Sequence, residues 1–211
     1  REQWGCVIGK HQAIADKIAK IAAKSFATES IVLFTSSLVD GKKAYIRVES
    51  AMCKMWGTEE AWKVADETMQ LRGGRGYETA DSLRNRGADP IPVERYLRDC
   101  RINMIFEGSS EIMRLLLARE ALDPHLKAAG AVLDSRLPLM VRLKAAIGAG
   151  LHYATWYPKQ WLPTFNSGPS GVNGSVKKYL RYVSRTSKKL SRKLFHSMAR
   201  YGPSLDKQQM L

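Results

Sequence analysis

From Gln12 to Val39 the apolar residues Ile14, Ile18, Ile21, Phe26, Ile31, Phe34 and Leu38 return at helical spacing, until Asp40-Gly41 stops the pattern. A run of that length predicts a helix that buries one stripe against neighbours of the same kind. A second helix is expected from Ile46 to about Leu71, continuous through Gly57, with Val48, Met52, Met55, Trp56, Ala61, Val64 and Met69 facing inward. Gly73-Gly74-Arg75-Gly76 then reads as a tight, exposed turn, because so many glycines together oppose helix and strand alike. Residues 78–92 read as a polar loop ending in Asp89-Pro90-Ile91-Pro92. Pro92 opens a short helix containing Val93-Glu94-Arg95-Tyr96-Leu97-Arg98. After a break at Glu107-Gly108, Ser109 or Ser110 caps another helix with Ile112, Leu115, Leu116 and Ala118 on its apolar side. No segment of the first 130 residues alternates with period two, so the predicted class is all-α, an antiparallel helical bundle over 1–130.

Charge divides the chain. The 211 residues carry a formal +14, and residues 131–211 hold 14 Lys and Arg against Asp134 and Asp206 alone, which leaves +2 for the first 130. Residues 131–211 are therefore taken as a second, basic helical segment, itself incomplete. In it Leu137 to about Leu151 reads as helix, 152–175 as a loop rich in aromatics, Gly, Pro and Ser, and Val176 to Tyr201 as a strongly amphipathic helix. Val176, Leu180, Val183, Leu190, Leu194 and Met198 share one face of that last helix, and Lys177, Lys178, Arg181, Arg185, Lys188, Lys189, Arg192 and Lys193 fill the rest.

A hydrophobic content of 45% supports a buried core, and no apolar stretch reaches the roughly 18 residues of a membrane span. The chain starts at Arg1 with no basic-then-apolar leader and reads as a piece of a longer protein, soluble or peripherally attached. Cys6, Cys53 and Cys100 are scattered without CxxC spacing, which argues against a disulfide framework or a zinc site and fits a reducing interior. Cys100 has no histidine near it in sequence to activate it as a nucleophile.

Glu107 is the residue with chemistry in view. It ends the apolar run Met104-Ile105-Phe106 and precedes a glycine. Facing an apolar cavity, such a carboxylate would lose hydration and serve as a general base; the bland alternative is an acidic group favoured by a helix N-terminus. Four segments decide between these. They are Arg1-Glu2-Gln3-Trp4-Gly5 with His11-Gln12; Gln70-Leu71-Arg72-Gly73-Gly74-Arg75-Gly76-Tyr77; Val93-Glu94-Arg95-Tyr96-Leu97-Arg98-Asp99; and Ile105-Phe106-Glu107-Gly108-Ser109-Ser110-Glu111-Ile112. In order and spacing, over residues 1 to about 122, they resemble the last domain of the acyl-CoA dehydrogenase family, a four-helix bundle.

The resemblance implies that Glu107 takes the pro-R α-proton of a fatty acyl-CoA thioester while a hydride leaves the β-carbon for FAD, giving the trans-2-enoyl thioester. It implies that Gly108 lets the thioester approach the backbone, that Ser109 keeps the hydroxyl of a usual Thr facing the flavin, and that Arg119 lies near the active-site wall. Arg1 and Gln3 fall where relatives hold the FAD pyrophosphate; His11, Gln12 and Glu111 match further FAD positions. Gln70, Gly73 and Gly74 match residues that reach the FAD of a second subunit, so a homodimer or higher homo-oligomer is implied. Electron-transfer flavoprotein is the implied partner, in a bacterial cytoplasm or mitochondrial matrix. Arg72 and Arg75 depart from the pattern, as does the loop from Glu78 to Ile91, about ten residues longer than in medium-chain enzymes. Very-long-chain members carry an extension comparable to 131–211, and its basic face suits an anionic lipid surface, such as the inner membrane, as well as a solvated packing face. No nucleic-acid recognition motif accompanies the charge. An acyl-CoA oxidase and a non-catalytic assembly protein of the same fold are the competing readings.

Overall fold

The computed structural model describes residues 2–42, 45–163 and 171–208, and these are almost wholly helical. It divides into two compact units, Arg1–Leu117 and Ala118–Leu211.

The first unit opens with an element that the sequence pattern missed. Strands β1 (Glu2–Gln3) and β2 (Cys6–Val7) pair antiparallel, Gln3 opposite Cys6, around Trp4-Gly5. Both turn residues have positive φ, +50° and +80°, the combination that a two-residue hairpin of matching twist requires. At two residues a strand is too short to show an alternating pattern. Helix α1 (Gln12–Asp40) and helix α2 (Arg47–Arg72) follow, each within a residue of its expected end.

These two helices run antiparallel, and ion pairs give their register. Lys17 pairs with Glu67, and Lys24 with Glu60 at 2.9 Å. Glu60 is buried, and burial pushes its carboxyl up; hydrogen bonds from Lys63 and Lys24 outweigh that and hold it below the usual range. Ala51 and Ala65 are the buried apolar residues of α2. Met52, expected to face inward, is exposed.

The glycine segment is only partly a turn. Gly73 alone takes a positive φ, +61°, and Gly74–Tyr77 form one helical turn, α3. Gly76 is buried there, and a Cβ on it would sit 2.6 Å from the Met69 carbonyl oxygen. Close backbone approach, not conformational freedom, explains that glycine. Residues 78–92 are likewise not a plain loop. Helix α4 (Ala80–Asn85) is capped by Thr79, whose hydroxyl accepts from the Ser82 N–H at 3.3 Å, and Leu83 is wholly buried. A single Leu among polar residues has no periodicity to betray it. Helix α5 (Val93–Ile102) begins after Pro92 and buries Val93.

Helix α6 (Ser110–Leu133) starts in the first unit and continues in the second. Ser109 is its cap, accepting from the Ile112 N–H at 3.4 Å. The units divide inside α6, between Leu117 and Ala118.

In the second unit, α7 (Leu139–Lys159) runs eight residues past the expected end at Leu151. His125, Tyr153, Trp156, Tyr157 and Phe195 form a cluster of rings with centroids 4.7 to 6.5 Å apart where they meet. Burying those rings holds the segment helical against its loop-like composition. Residues 164–170 of the expected loop lie outside the described residues. Helix α8 (Gly174–Tyr201) buries Met198 but exposes Val176, Leu180, Val183 and Leu190 of the same face. Lys188 and Arg192 do not project freely: they donate to the carbonyls of Leu162 and Gln160, and the Arg192 guanidinium lies 4.0 Å from the Trp161 ring centre. Among the described residues, no helix is long and apolar enough to cross a membrane.

Candidate active site

Between α5 and α6 the chain makes a turn that α-helical residues do not tolerate. Glu107 has φ +52° and Gly108 φ +96°. A glutamate in the left-handed region costs on the order of 1–3 kcal/mol and persists only where its surroundings impose it. Three contacts do so. The Ser110 N–H donates to the Met104 carbonyl at 3.1 Å, closing the loop. Met113 fills the space over Gly108, its Cε standing where a Cβ would be. The Lys54 ammonium, from the second turn of α2, donates to the Phe106 carbonyl at 3.2 Å and to the Gly108 carbonyl.

The Glu107 side chain is exposed, so residues of this unit alone do not build the apolar cavity anticipated around it. The collar for one is present. Ile102, Ile105, Phe106, Ile112 and Leu115, in and beside the turn, are all exposed. Large apolar side chains concentrated around one carboxylate mark a surface that other residues cover. No described carbonyl accepts from the Glu107 N–H.

Beside the turn lies a groove of about 520 Å³ whose lining includes Arg101, Met104, Ser109, Ser110, Glu111 and Arg114. The Ser110 hydroxyl is buried with no hydrogen-bond partner, an orphan of the kind that marks a ligand or water position. The Glu111 carboxyl is held below its usual range by its own backbone N–H and the Ser109 hydroxyl, then by Arg114 and Arg101. Arg114 also ties the first turns of α6 to Glu59 of α2, at 2.5 Å.

The other candidate residues gather elsewhere. His11 Nε2 donates to the Gln3 carbonyl at 3.0 Å, and Trp4 meets the His11 ring edge-on at 5.6 Å. Gln12 is the first residue of α1. Because Lys17 lies opposite Glu67 in an antiparallel pair, this N-terminal end of α1 meets the C-terminal end of α2. That end carries Gln70, exposed, and the Gly73-Gly74 step, where an added Cβ would meet nothing within 4 Å. Gln3, His11, Gln12, Gln70, Gly73 and Gly74 thus share one end of the α1–α2 pair. From Lys54 to Gln70 is about 16 residues, roughly 24 Å along the helix axis, so this group stands apart from the Glu107 turn. Arg119 is exposed on the part of α6 that belongs to the second unit. Arg1 lies outside the described residues.

Cys100 faces an apolar groove lined by Val64, Val93 and Tyr96. Burial and the neighbouring Asp99 push its thiol up, which keeps it protonated and unsuited to attack. Among the described residues no three His, Cys, Asp or Glu side chains gather as metal ligands. Sequence reasoning missed Lys54 and the groove at the start of α6. A lysine inside a long helix carries no motif, and its partners are carbonyls.

Residues 1–122 match the family model for the acyl-CoA dehydrogenase C-terminal domain. Over 99% of its length the chain is 47% identical to the probable acyl-CoA dehydrogenase FadE10 of Mycobacterium tuberculosis, of which it spans 32%. Over 56% of its length it is 38% identical to the mitochondrial very long-chain specific acyl-CoA dehydrogenase of Bos taurus, spanning 16% of that protein. A solved acyl-CoA dehydrogenase complexed with FAD, from Bacillus anthracis, superposes on 99% of the chain with a TM-score of 0.68 at 25% identity, over 33% of that chain.

Proposed function

The chain belongs to the acyl-CoA dehydrogenase family, and from that premise we propose that the protein containing it catalyses α,β-dehydrogenation of long-chain fatty acyl-CoA in fatty-acid β-oxidation, with Glu107 as the base. The observation that carries this reading is the Glu107 turn: a carboxylate forced into the left-handed region and ringed by exposed apolar side chains. Strain of that kind is retained where geometry matters more than stability.

The residues present fit FAD. The orphan Ser110 hydroxyl and its neighbours Ser109 and Glu111 offer polar contacts at the start of α6, and the open Gly73-Gly74 step leaves room for a ligand against the backbone. Bound against the start of α6, FAD would supply the acceptor for the hydride that leaves the β-carbon. Glu107 takes the α-proton, and the electron pair of that C–H bond becomes the α,β double bond. The unengaged Glu107 N–H is a donor for the thioester oxygen as enolate charge develops. Gly108, without a side chain, keeps the approach open. Gln70, Gly73 and Gly74 serve a second copy's FAD in a homodimer or higher oligomer, and Gln3, His11 and Gln12 beside them, with Arg1, are the other FAD contacts. The separation of Gln70, Gly73 and Gly74 from Glu107 supports that division. Arg119 lines the acyl-CoA side. Electrons pass on to electron-transfer flavoprotein.

The long-chain preference and a peripheral membrane contact rest on 131–211. The exposed stripe Val176, Leu180, Val183 and Leu190 beside basic side chains supports an anionic lipid surface, inside a bacterial cell or a mitochondrion.

In the full-length flavoprotein, Glu107→Gln is expected to lower α-proton exchange of a bound acyl-CoA into D₂O by about 10²–10⁴-fold with FAD retained. Exchange at the wild-type rate would overturn the assignment of the base. Peroxide formation in air in place of electron-transfer-flavoprotein reduction would make the protein an oxidase.

A further inference from the structure

The Lys54 ammonium bridges two carbonyls that bracket a single residue. Phe106 C=O and Gly108 C=O, one on each side of Glu107, both accept from Nζ of a lysine more than fifty positions earlier in the chain. Lys54 is half-buried, and no carboxylate of the described residues lies within ion-pair distance of it. Its charge is therefore answered by the two carbonyl dipoles. An ammonium presents several donors from one point, so two acceptors that converge on it are constrained relative to each other.

The backbone around Glu107 can reach its side-chain direction only with φ +52° followed by φ +96°. Left to itself, that pair of residues would relax toward ordinary helical or extended values, turning the carboxylate away from its present direction. Pinning the Phe106–Glu107 and Gly108–Ser109 peptides to one point restrains the Glu107–Gly108 segment between them, and with it the direction of the Glu107 Cα–Cβ bond. Arg114 on Glu59 and the Ser110–Met104 hydrogen bond hold the start of α6, but neither engages the Phe106 or Gly108 carbonyl.

We propose that Lys54 is the positioning residue of the base: by holding the Phe106 and Gly108 carbonyls it sets the direction of the Glu107 carboxylate without itself touching substrate. The proposal rests on Glu107 acting as the base. Charge alone would serve a nearby carboxylate equally well from any direction, whereas this arrangement needs a multi-donor cation at one point. Arginine can supply that; methionine, of similar length, cannot.

The test uses the full-length flavoprotein carrying Lys54→Met, Lys54→Arg or Glu107→Gln. FAD content and Tm are measured alongside steady-state kinetics and amide exchange of the peptide spanning residues 104–110. Lys54→Met is expected to lower kcat about 10–100-fold with KM changed less than about threefold, the scale for a misaligned reacting group. Amide exchange at Ser110, whose N–H closes the turn onto the Met104 carbonyl, should quicken by about tenfold or more, and Lys54→Arg should restore most of both. A kcat within twofold of wild type in Lys54→Met, beside an inactive Glu107→Gln, would overturn the proposal while leaving the base in place. So would a joint fall in kcat, KM, FAD content and Tm that Lys54→Arg does not rescue, since that marks a purely structural lysine. Should Lys54→Met fail to fold, Lys54→Gln takes its place under the same criteria. An active Glu107→Gln would sink the assignment of the base instead, and the amide-exchange arm would still report whether Lys54 holds the turn.

Discussion

At Gly108 two demands fall on one residue. Its φ of +96° suits glycine, and Met113 Cε occupies the place of a Cβ. Gly108→Ala is therefore expected to destabilise the first unit by roughly 2–4 kcal/mol, from backbone strain plus overpacking. Gly74→Ala, with ordinary φ and open space, should stay within about 0.5 kcal/mol. Chemical denaturation of the two variants checks this, and equal costs would mean that Met113 moves aside freely. A sequence motif singles out Glu107 and Gly108, and the structure places the pair in one positive-φ turn. No such signal marks Lys54: its partners are backbone carbonyls, which have no residue identity to recognise, and they lie on another element.

Helices whose ends are written in local chemistry were read to within a residue. Asp40-Gly41 stops α1, and the glycines after Arg72 stop α2. Helix α4 and the last turns of α7 were missed because what stabilises them is tertiary: Leu83 buried in one case, the ring cluster around His125 in the other. That cluster carries a pH dependence. Burial and then His152 push His125 below its usual range, while Tyr153 and Phe195 face it, with the Tyr153 hydroxyl 3.1 Å from Nδ1. The folded unit thus keeps His125 neutral while the unfolded chain takes a proton near pH 6.5, so stability falls as pH drops through and below that value. His125→Phe is expected to flatten the decline in Tm between about pH 7 and 5. An unchanged slope in that variant would assign the effect to other groups.

At the scale of the whole chain, charge segregation was legible from composition, and its consequence is testable. The full-length protein should bind vesicles rich in anionic phospholipid at low ionic strength and leave them at about 0.5 M salt, where the screening length falls below roughly 5 Å. Salt-insensitive binding would point to insertion of the apolar stripe alone. Lys188 and Arg192 are tied to carbonyls of the corner after α7, so their removal should weaken the fold of that unit as well as its attraction to lipid.

The hydrocarbon collar around Glu107 also sets an order of events. While Ile102, Ile105, Phe106, Ile112 and Leu115 remain wet, the carboxylate among them is solvated like any surface acid. On the proposed reading of Glu107 as the base, reactivity comes only once a covering surface lies over that ring, so a half-assembled copy would be inert toward thioesters, yet sticky toward its neighbours.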